Sequence, residues 1–203
     1  MTPIAPHIAA FLNERLPLER RASENTRVSY AYAFQLLFVF ASKRLRIAPC
    51  ELQVEHIDAA LVIAFLNDLE ISRGNAPSSR NIRLAAIKSF MRYLQYRLPS
   101  ALDHIQRVLA IPAKKTDTPL VNYLMLEEMQ AILDAPDPTT YAGVRDRAML
   151  HLAYAAGLRV SELVGLQLRD VQLGLRAAVT VHGKGRRARA LPLWKETARA
   201  LRA

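Results

Sequence analysis

The stretch "YAAGLRVSELVGLQLRDV", Tyr154–Val171, contains the end of one helix and the beginning of the next. Gly157 can adopt the left-handed conformation that ends a helix, which places Arg159 near the first turn of the following one. Unpaired N–H groups and the helix dipole favour anions there, and an arginine adds a charged fork suited to a phosphate. Glu162, one turn further on, can pair with the guanidinium and hold its orientation. Taken alone, this stretch favours instead an arginine that joins two helices through a carboxylate.

A second stretch, "AAVTVHGKGRRARALPL" at residues 177–193, alternates apolar and polar residues on both sides of a glycine-rich break. This pattern predicts a β-hairpin. Lys184 lies between two glycines at the predicted tip, and Arg186, Arg187 and Arg189 follow closely. A lysine on such a basic tip can enter a DNA groove and deliver a proton to a leaving oxygen, whereas a solvated turn is the common alternative.

In this order and at this spacing, the two stretches resemble the tyrosine recombinases, also called the phage integrase family, in their Xer-like form. The family carries its first catalytic arginine in a GLR-x-SEL motif and its catalytic lysine in a hairpin with GKG and a Pro-Leu ending. Ala156 stands where threonine is more usual. The resemblance implies that Arg159 contacts the scissile phosphate, that Lys184 is the general acid toward the departing 5′-hydroxyl, and that Glu162 supports them.

The resemblance also implies a reaction in two steps. A tyrosine hydroxyl attacks the phosphate and forms a 3′-phosphotyrosyl link, which the hydroxyl of a partner strand then resolves. The covalent intermediate conserves the bond energy, so neither ATP nor a metal ion is needed. The sequence contains no Walker loop and no carboxylate cluster at metal-ligand spacing. We therefore expect no cofactor.

The later part of the family pattern is a His-x-x-Arg box, a further His or Trp, and the tyrosine nucleophile. Only "LPLWKETARALRA" follows the hairpin here, and all seven tyrosines precede Arg159. "HIQR", His104–Arg107, is interpreted as a chance match in the wrong domain, Trp194 follows the hairpin too soon, and Tyr154 is interpreted as core. We therefore expect a recombinase truncated within its catalytic domain, from a disrupted mobile-element gene or as a fragment, with weak order near its C-terminus.

The composition points to a polyanionic partner. Lys and Arg total 28 against 18 Asp and Glu, which gives a net charge of +10, mostly from arginine. Double-stranded DNA is the first candidate partner, although a basic proteome or a merely soluble surface would give the same balance. The single Cys50 excludes an internal disulfide. The N-terminus lacks the order of a signal peptide, and the longest apolar run is too short to span a membrane. We predict a cytoplasmic protein with no membrane partner.

The whole chain is 51% hydrophobic, which is enough to bury a core. The apolar periodicity of its N-terminal half predicts a packed helical bundle. Its four helical segments are a short amphipathic one near the start, one capped by Ser23, one that stops at Gly74 and one that begins at Pro77. The second and fourth resemble helices of the family's core-binding domain. The predicted fold class is mainly α: an N-terminal SAM-like four-helix core-binding domain at 1–110, a linker at 111–122, and the first part of an α+β catalytic domain with a β-hairpin at 123–203.

The second and fourth helices are the predicted DNA-facing elements, because the resemblance implies that they face DNA as in the family. Phosphate contact is the default role for their basic side chains. On the fourth helix, a polar stripe is either solvated surface or a face against DNA; it consists of Asn81, Lys88, Arg92 and Gln95. The candidate DNA contacts are Arg27, Lys43, Arg80, Arg83, Lys88, Arg92, Arg186 and Arg187.

Three hypotheses follow. The chain is a tyrosine recombinase that acts on DNA but is present without its nucleophile, a non-catalytic DNA-binding module that competes with a full recombinase, or a helical protein whose basic surface has no specific role. The family works as tetramers on paired DNA sites, commonly linked through a C-terminal segment. We therefore expect weak self-association for this chain.

Overall fold

The computed structural model describes residues 2–117, 120, 122–183 and 188–202, and it divides into two compact units, Met1–Pro119 and Leu120–Ala203. The described part of the first unit is helical, as predicted. Its α-helices are α1 Ile4–Ala10, α2 Glu24–Leu45, α3 Ala59–Ile71, α4 Pro77–Leu94 and α5 Leu102–Leu109.

Helix α5 is not among the four predicted segments. After α4, Pro99 begins a turn of 3₁₀-helix, Pro99–Ala101, that leads directly into α5. Proline is well tolerated there because the first turn of a helix leaves its N–H groups unpaired in any case. The same residue type can therefore end one helix and begin another.

Local side-chain bonds set the helix ends. The Ser23 hydroxyl accepts a backbone N–H at the start of α2, as its sequence predicts. Helix α3 begins at Ala59, because the Asp58 carboxylate accepts the Leu61 N–H at 2.7 Å and fixes the N-cap there. Gly74, where the prediction stopped, has a φ of +61° in the turn after α3.

Aromatic rings form the centre of the first unit. Helix α1 continues as a π-helix, Phe11–Glu19, whose first residue points into the core. The Phe11 ring lies 5.4 Å from that of Phe90 and 6.1 Å from that of Phe34, in edge-to-face geometry. One apolar stripe of α2 faces this core, with Ala33, Phe34, Leu37 and Ala41 buried.

Residues that follow α5 pack against the helices of the first unit. Ile111 is buried. The Asn81 side chain donates to the Lys114 carbonyl at 2.7 Å and accepts the Lys114 N–H at 3.0 Å. The Lys114 ammonium also contacts Glu70 at 2.7 Å. Asn81 therefore holds the chain after α5 rather than standing only as part of a solvated stripe.

The second unit combines short helices with a small sheet. Its helices are α6 Leu126–Asp134, α7 Tyr141–Ala156, α8 Val160–Val164 and α9 Lys195–Ala200. The strands, β1 Val171–Gln172, β2 Ala178–His182 and β3 Ala188–Pro192, pair antiparallel in the order β1-β2-β3. The two strands of the predicted hairpin are confirmed, whereas β1, with two residues, is too short to leave a periodic pattern.

The buried cluster of the second unit is small. Leu152 on α7 and Val179 and Val181 on β2 are its buried members, and half-buried residues such as Leu163 and Leu191 pack around them. This cluster joins α7 to one face of the sheet. It therefore fixes α8 and the hairpin relative to each other.

In the part of the chain that the structure describes, no helix is both long enough and apolar enough to cross a membrane.

Candidate functional site

The junction between α7 and α8 positions Arg159. Gly157 ends α7 with a φ of +58°, a left-handed conformation that favours glycine. Arg159 then takes the N-cap position of α8, and its backbone N–H donates to Glu162 Oε2 at 3.0 Å. The carboxylate of Glu162 thus replaces a hydrogen-bond partner that the helix start lacks. The turn and the acidic residue together fix the direction in which the Arg159 side chain leaves the backbone.

Glu162 lies at the centre of a cluster of charged side chains. Its side chain is only 5% exposed, and its Oε1 accepts from Arg159 Nη1 at 3.1 Å. Arg189 on β3 donates from Nη1 and Nη2 to the same carboxylate at 3.2 and 3.0 Å. The Arg159 N–H and the bonds from Arg189 lower the pKa of Glu162 from 4.5 to about 2, against the opposing effect of burial. Glu162 is therefore ionised at any physiological pH.

The Arg159 guanidinium faces solvent. Its side chain is 73% exposed, in contrast to that of its partner Glu162. A guanidinium has five N–H donors, and the bond to Glu162 uses only one of them. The remaining donors are available to an anion, and their planar fork matches two oxygens of a phosphate.

A second carboxylate supports the base of the hairpin. Asp170 is buried and accepts the Gln167 N–H at 3.0 Å. His182, the last residue of β2, contacts it through Nε2 at 3.3 Å. The Gln167 N–H, followed by the contact with His182, holds the pKa of Asp170 below its usual range although burial opposes this. The pair ties the end of β2 to the turn that precedes the sheet.

Three of the predicted site residues, Lys184, Arg186 and Arg187, lie outside the described residues. The described strands nevertheless bracket them, because His182 pairs with Ala188 in the register of the hairpin. The structure thus brings Arg159, Glu162 and the strand ends of the hairpin into one region of the second unit.

The predicted DNA contacts of the first unit differ in exposure. Lys43 on α2 and Arg92 on α4 are exposed, and Arg27 is half-buried in an ion pair with Glu24 at 2.7 Å. Lys88 is half-buried, and burial, with the nearby charge of Arg92, lowers the pKa of its ammonium.

The other two α4 arginines on the predicted list contact side chains of the same unit, but only one of them is buried. The Arg83 guanidinium lies 5.0 Å from the centre of the Tyr32 ring. Arg80 is 5% exposed, with its Nε 3.7 Å from Glu70. Arg80, predicted as a DNA contact, therefore lacks the exposure that a phosphate contact requires.

Tyr154 and Trp194 meet at a cleft rather than in the core. Tyr154, interpreted from the sequence as core, is 43% exposed, and its ring packs edge-to-face on that of the half-exposed Trp194, 6.0 Å away. A cavity of about 510 Å³ is lined by both rings and by His151. His104 and Arg107, the chance His-x-x-Arg match, lie on α5 of the first unit.

Among the described residues, no group of three or more His, Cys, Asp or Glu side chains is arranged to hold a metal ion. The chemistry that the described site offers is therefore that of guanidinium groups and hydrogen bonds.

Sequence reasoning missed the pairing of Arg189 with Glu162. Arg189 stands directly opposite Val181 in the hairpin, and directly opposed residues point to the same face of a sheet. Val181 is fully buried. The alternating pattern of β2 could thus have indicated that Arg189 points inward, toward the helices.

Comparison with protein families gives two matches that together span most of the chain. Residues 122–203 match the model of the phage integrase family, and residues 8–97 match that of the phage integrase N-terminal SAM-like domain.

Several relatives match over nearly the full chain. The integrase/recombinase proteins y4rC and y4rD of Sinorhizobium fredii are 46% and 39% identical over 98% of the chain, which spans 60% and 72% of their lengths. The tyrosine recombinase XerC of Myxococcus xanthus is 37% identical over 100% of the chain, which spans 64% of its length.

Solved structures support the fold. The XerH site-specific recombinase bound to palindromic difH substrate matches with a TM-score of 0.65 at 20% identity, over 90% of this chain and 52% of that one. A lambda integrase dimer bound to a core site matches with a TM-score of 0.63 at 18% identity, over 94% and 62%.

Proposed function

Since the chain belongs to the phage integrase family of tyrosine recombinases, we propose that it acts in site-specific DNA recombination and binds double-stranded DNA through both of its units. Family membership confirms the resemblance predicted from the two motifs of the second unit. The chain spans 60% of the length of y4rC and 64% of that of XerC.

The observation that carries the proposal is the presentation of Arg159. The side chain is 73% exposed, yet it is held at a helix N-terminus by a buried carboxylate. A cation that is both oriented and solvent-facing is suited to a phosphodiester, whose non-bridging oxygens accept two parallel N–H bonds. In this role Arg159 binds the scissile phosphate and stabilises the negative charge that develops on it during attack.

Lys184 is the second proposed participant. Its place in the sequence, between the strand ends that the hairpin brings toward Glu162, supports the role of general acid toward the departing 5′-hydroxyl. A proton donated there neutralises the leaving oxygen as its bond to phosphorus breaks. Arg186 and Arg187, which follow it, are proposed to contact neighbouring phosphates.

The first unit is proposed to grip the DNA backbone rather than read its bases. Exposed and half-buried cations on α2 and α4 support this role, because arginine and lysine contacts to phosphate set position without carrying sequence information. The proposed contacts in this unit are Arg27, Lys43, Arg83, Lys88 and Arg92.

The 203 residues contain no tyrosine after Arg159. We therefore propose that this chain by itself binds DNA without forming a covalent adduct, which makes it a DNA-binding module able to compete with a full recombinase. Self-association on paired sites is proposed to be weak.

Two assays test these proposals on the 203-residue chain. Fluorescence anisotropy with a labelled duplex should give an affinity that falls steeply as salt rises, because each neutralised phosphate releases counterions. An affinity independent of salt would contradict DNA binding and favour a helical protein without a nucleic-acid role.

The second assay uses a nicked suicide duplex, which traps a phosphotyrosyl intermediate. We expect no slowly migrating covalent species on a denaturing gel. An adduct would show that one of the seven tyrosines is a nucleophile, and mapping the labelled peptide would identify which.

A further inference from the structure

Arg189 forms the most extensive contact with the Glu162 carboxylate. Its two terminal nitrogens donate to the two oxygens, Nη1 to Oε1 at 3.2 Å and Nη2 to Oε2 at 3.0 Å. This is the fork-to-fork arrangement that gives arginine–carboxylate pairs both strength and defined geometry. Arg159 contributes only one side-chain bond to the same carboxylate, at 3.1 Å, and one backbone bond. The acidic residue is thus bound more completely by Arg189 than by the predicted catalytic arginine.

The carboxylate of Glu162 is saturated by this arrangement. Each oxygen accepts two bonds, one from Arg159 and one from Arg189. A carboxylate has about four lone-pair positions, so little acceptor capacity remains. Since the side chain is also 5% exposed, solvent does not compete for it. The Arg159 guanidinium therefore cannot fold further onto Glu162 while Arg189 is in place.

The charges lead to the same conclusion. Arg159 and Glu162 alone would form a neutral pair, and a phosphate that approached Arg159 would meet the field of a carboxylate one turn away. With Arg189 the three side chains carry a net charge of +1. Arg189 is 40% exposed and has its two terminal nitrogens on Glu162, whereas Arg159 is 73% exposed. The surplus positive charge is thus presented on Arg159.

We propose that Arg189 is a positioning residue for DNA binding: it occupies the Glu162 carboxylate and so leaves the Arg159 guanidinium facing solvent and available to a phosphate. This inference rests on the proposed function of Arg159. Glu162 and Arg189 thus have opposite effects on the same guanidinium. Glu162 orients the Arg159 side chain, and Arg189 prevents the negative charge of Glu162 from being balanced by Arg159 alone. Because Arg189 lies on β3, just after the hairpin tip, the same contact also ties that strand to α8.

Comparison of a single and a double variant tests the proposal. In Arg189→Gln, the Glu162 charge is left to Arg159 alone, and we expect duplex affinity at constant salt to fall about tenfold, with a salt slope lower by about 1. In Arg189→Gln/Glu162→Gln, the charge that competes with the phosphate is gone. Affinity should return to within about threefold of the unmodified chain, since the surplus charge of +1 is restored.

A matched control removes the same charge elsewhere in the unit. Arg145 on α7 is exposed and paired with its neighbour Asp146 at 2.8 Å. Arg145→Gln should change affinity by less than about twofold, because exposed pairs contribute little. If Arg145→Gln weakens binding as much as Arg189→Gln, the effect is one of total charge and the proposal is wrong.

A purely structural role for Arg189 gives a different pattern. In that case the double variant would bind no better than Arg189→Gln, because both lack the ion pair between β3 and α8. If circular dichroism shows that Arg189→Gln is unfolded, Arg189→Lys is tested in its place, since lysine keeps a positive charge beside the Glu162 carboxylate. A folded Arg189→Lys that binds as weakly as Arg159→Ala overturns the proposal, and one that binds within about threefold of the unmodified chain supports it.

Arg159→Ala separates this inference from the proposed function. If Arg159→Ala leaves duplex affinity and salt slope unchanged, the proposed role of Arg159 fails and the inference fails with it. If Arg159→Ala weakens binding but Arg189→Gln does not, only the role of Arg189 is wrong.

Discussion

The two units of the chain are stabilised in different ways. In the first, 23 described residues form one buried apolar cluster around Phe11, Phe34 and Phe90. In the second, the buried cluster consists of Leu152, Val179 and Val181. The second unit instead places two buried carboxylates, Glu162 and Asp170, where they accept hydrogen bonds from several elements.

This difference suits two different tasks. A large apolar core keeps a helical scaffold rigid, and its free energy of unfolding changes little when surface charges change. A charge cluster at the surface keeps guanidinium groups oriented and ready to bind an anion, but its strength depends on pH and salt. We therefore expect the first unit to resist changes of solution conditions that loosen the second. Trp194 is the single tryptophan and lies in the second unit, so its fluorescence reports that unit while far-UV circular dichroism follows the helices of both.

The largest effect is expected for Phe90→Ala in the first unit. Phe90 is 1% exposed and contacts the rings of Phe11 and Phe34, so its removal leaves a cavity. The free energy of unfolding should fall by about 3–5 kcal/mol. Urea denaturation followed by circular dichroism measures it, with Val39→Ala as the control, since Val39 is 42% exposed and should change stability by less than about 0.5 kcal/mol. An equal loss in both variants would show that this core does not carry the stability of the unit.

A smaller effect is expected for Val181→Ala in the second unit. Removal of two methyl groups from the buried cluster should lower the free energy of unfolding by about 2 kcal/mol. The unfolding midpoint reported by Trp194 should fall, while helical signal from the first unit persists at the same urea concentration. Coincident loss of both signals would contradict the separation of the two units.

The pH dependence of the second unit should follow Glu162. Because the pKa of this residue is lowered from 4.5 to about 2, its ion pairs contribute stability above pH 4.5 and lose it as the pH falls toward 2. Asp170, whose pKa is also lowered, acts in the same direction. We expect less destabilisation than in Val181→Ala, since both arginines retain contact with solvent.

Trp194 fluorescence during acid titration measures this effect, with Glu162→Gln as the comparison. The variant should be less stable at pH 7 and should lose less stability between pH 4.5 and 2. An acid transition of unchanged size in Glu162→Gln would show that other carboxylates are responsible.

The smallest effect is expected for Asn81→Ala. This change removes two hydrogen bonds to the Lys114 backbone, at 2.7 and 3.0 Å, which are exposed to solvent. Stability of the first unit should change by about 1 kcal/mol or less. Hydrogen exchange of the Lys114 amide should nevertheless accelerate, whereas exposed Asn67→Ala should leave it unchanged. An unchanged exchange rate in Asn81→Ala would mean that residues after α5 are held by the packing of Ile111 and the contact of Lys114 with Glu70 instead.

Much of the fold followed from local patterns. The cap at Ser23, the left-handed Gly157 and the alternation on both sides of the hairpin are determined by a few neighbouring residues, and each was found in its predicted place. Helix α5 was missed because one proline can end a helix or begin one, and tertiary packing decides between these. Tyr154, on the helix that precedes Arg159, is interpreted from the sequence as core, yet its ring lies on Trp194 at a cleft.

The site was predictable only in part for the same reason. The Arg159–Glu162 pair is separated by one helical turn, so spacing alone predicts it. The Arg189–Glu162 pair joins residues 27 positions apart, and it depends on how β3 packs against α8. Burial of Arg80 likewise depends on the partner that α3 supplies in Glu70. Contacts between elements that are distant in sequence cannot be read from periodicity.

The most direct test of the account is the salt dependence of duplex binding by Arg159→Ala. If the charge cluster of the second unit presents Arg159 to a phosphate, the slope of log affinity against log salt should fall by about 1 relative to the unmodified chain. Trp194 fluorescence should confirm that the second unit remains folded. A folded Arg159→Ala with the slope and affinity of the unmodified chain would contradict the account.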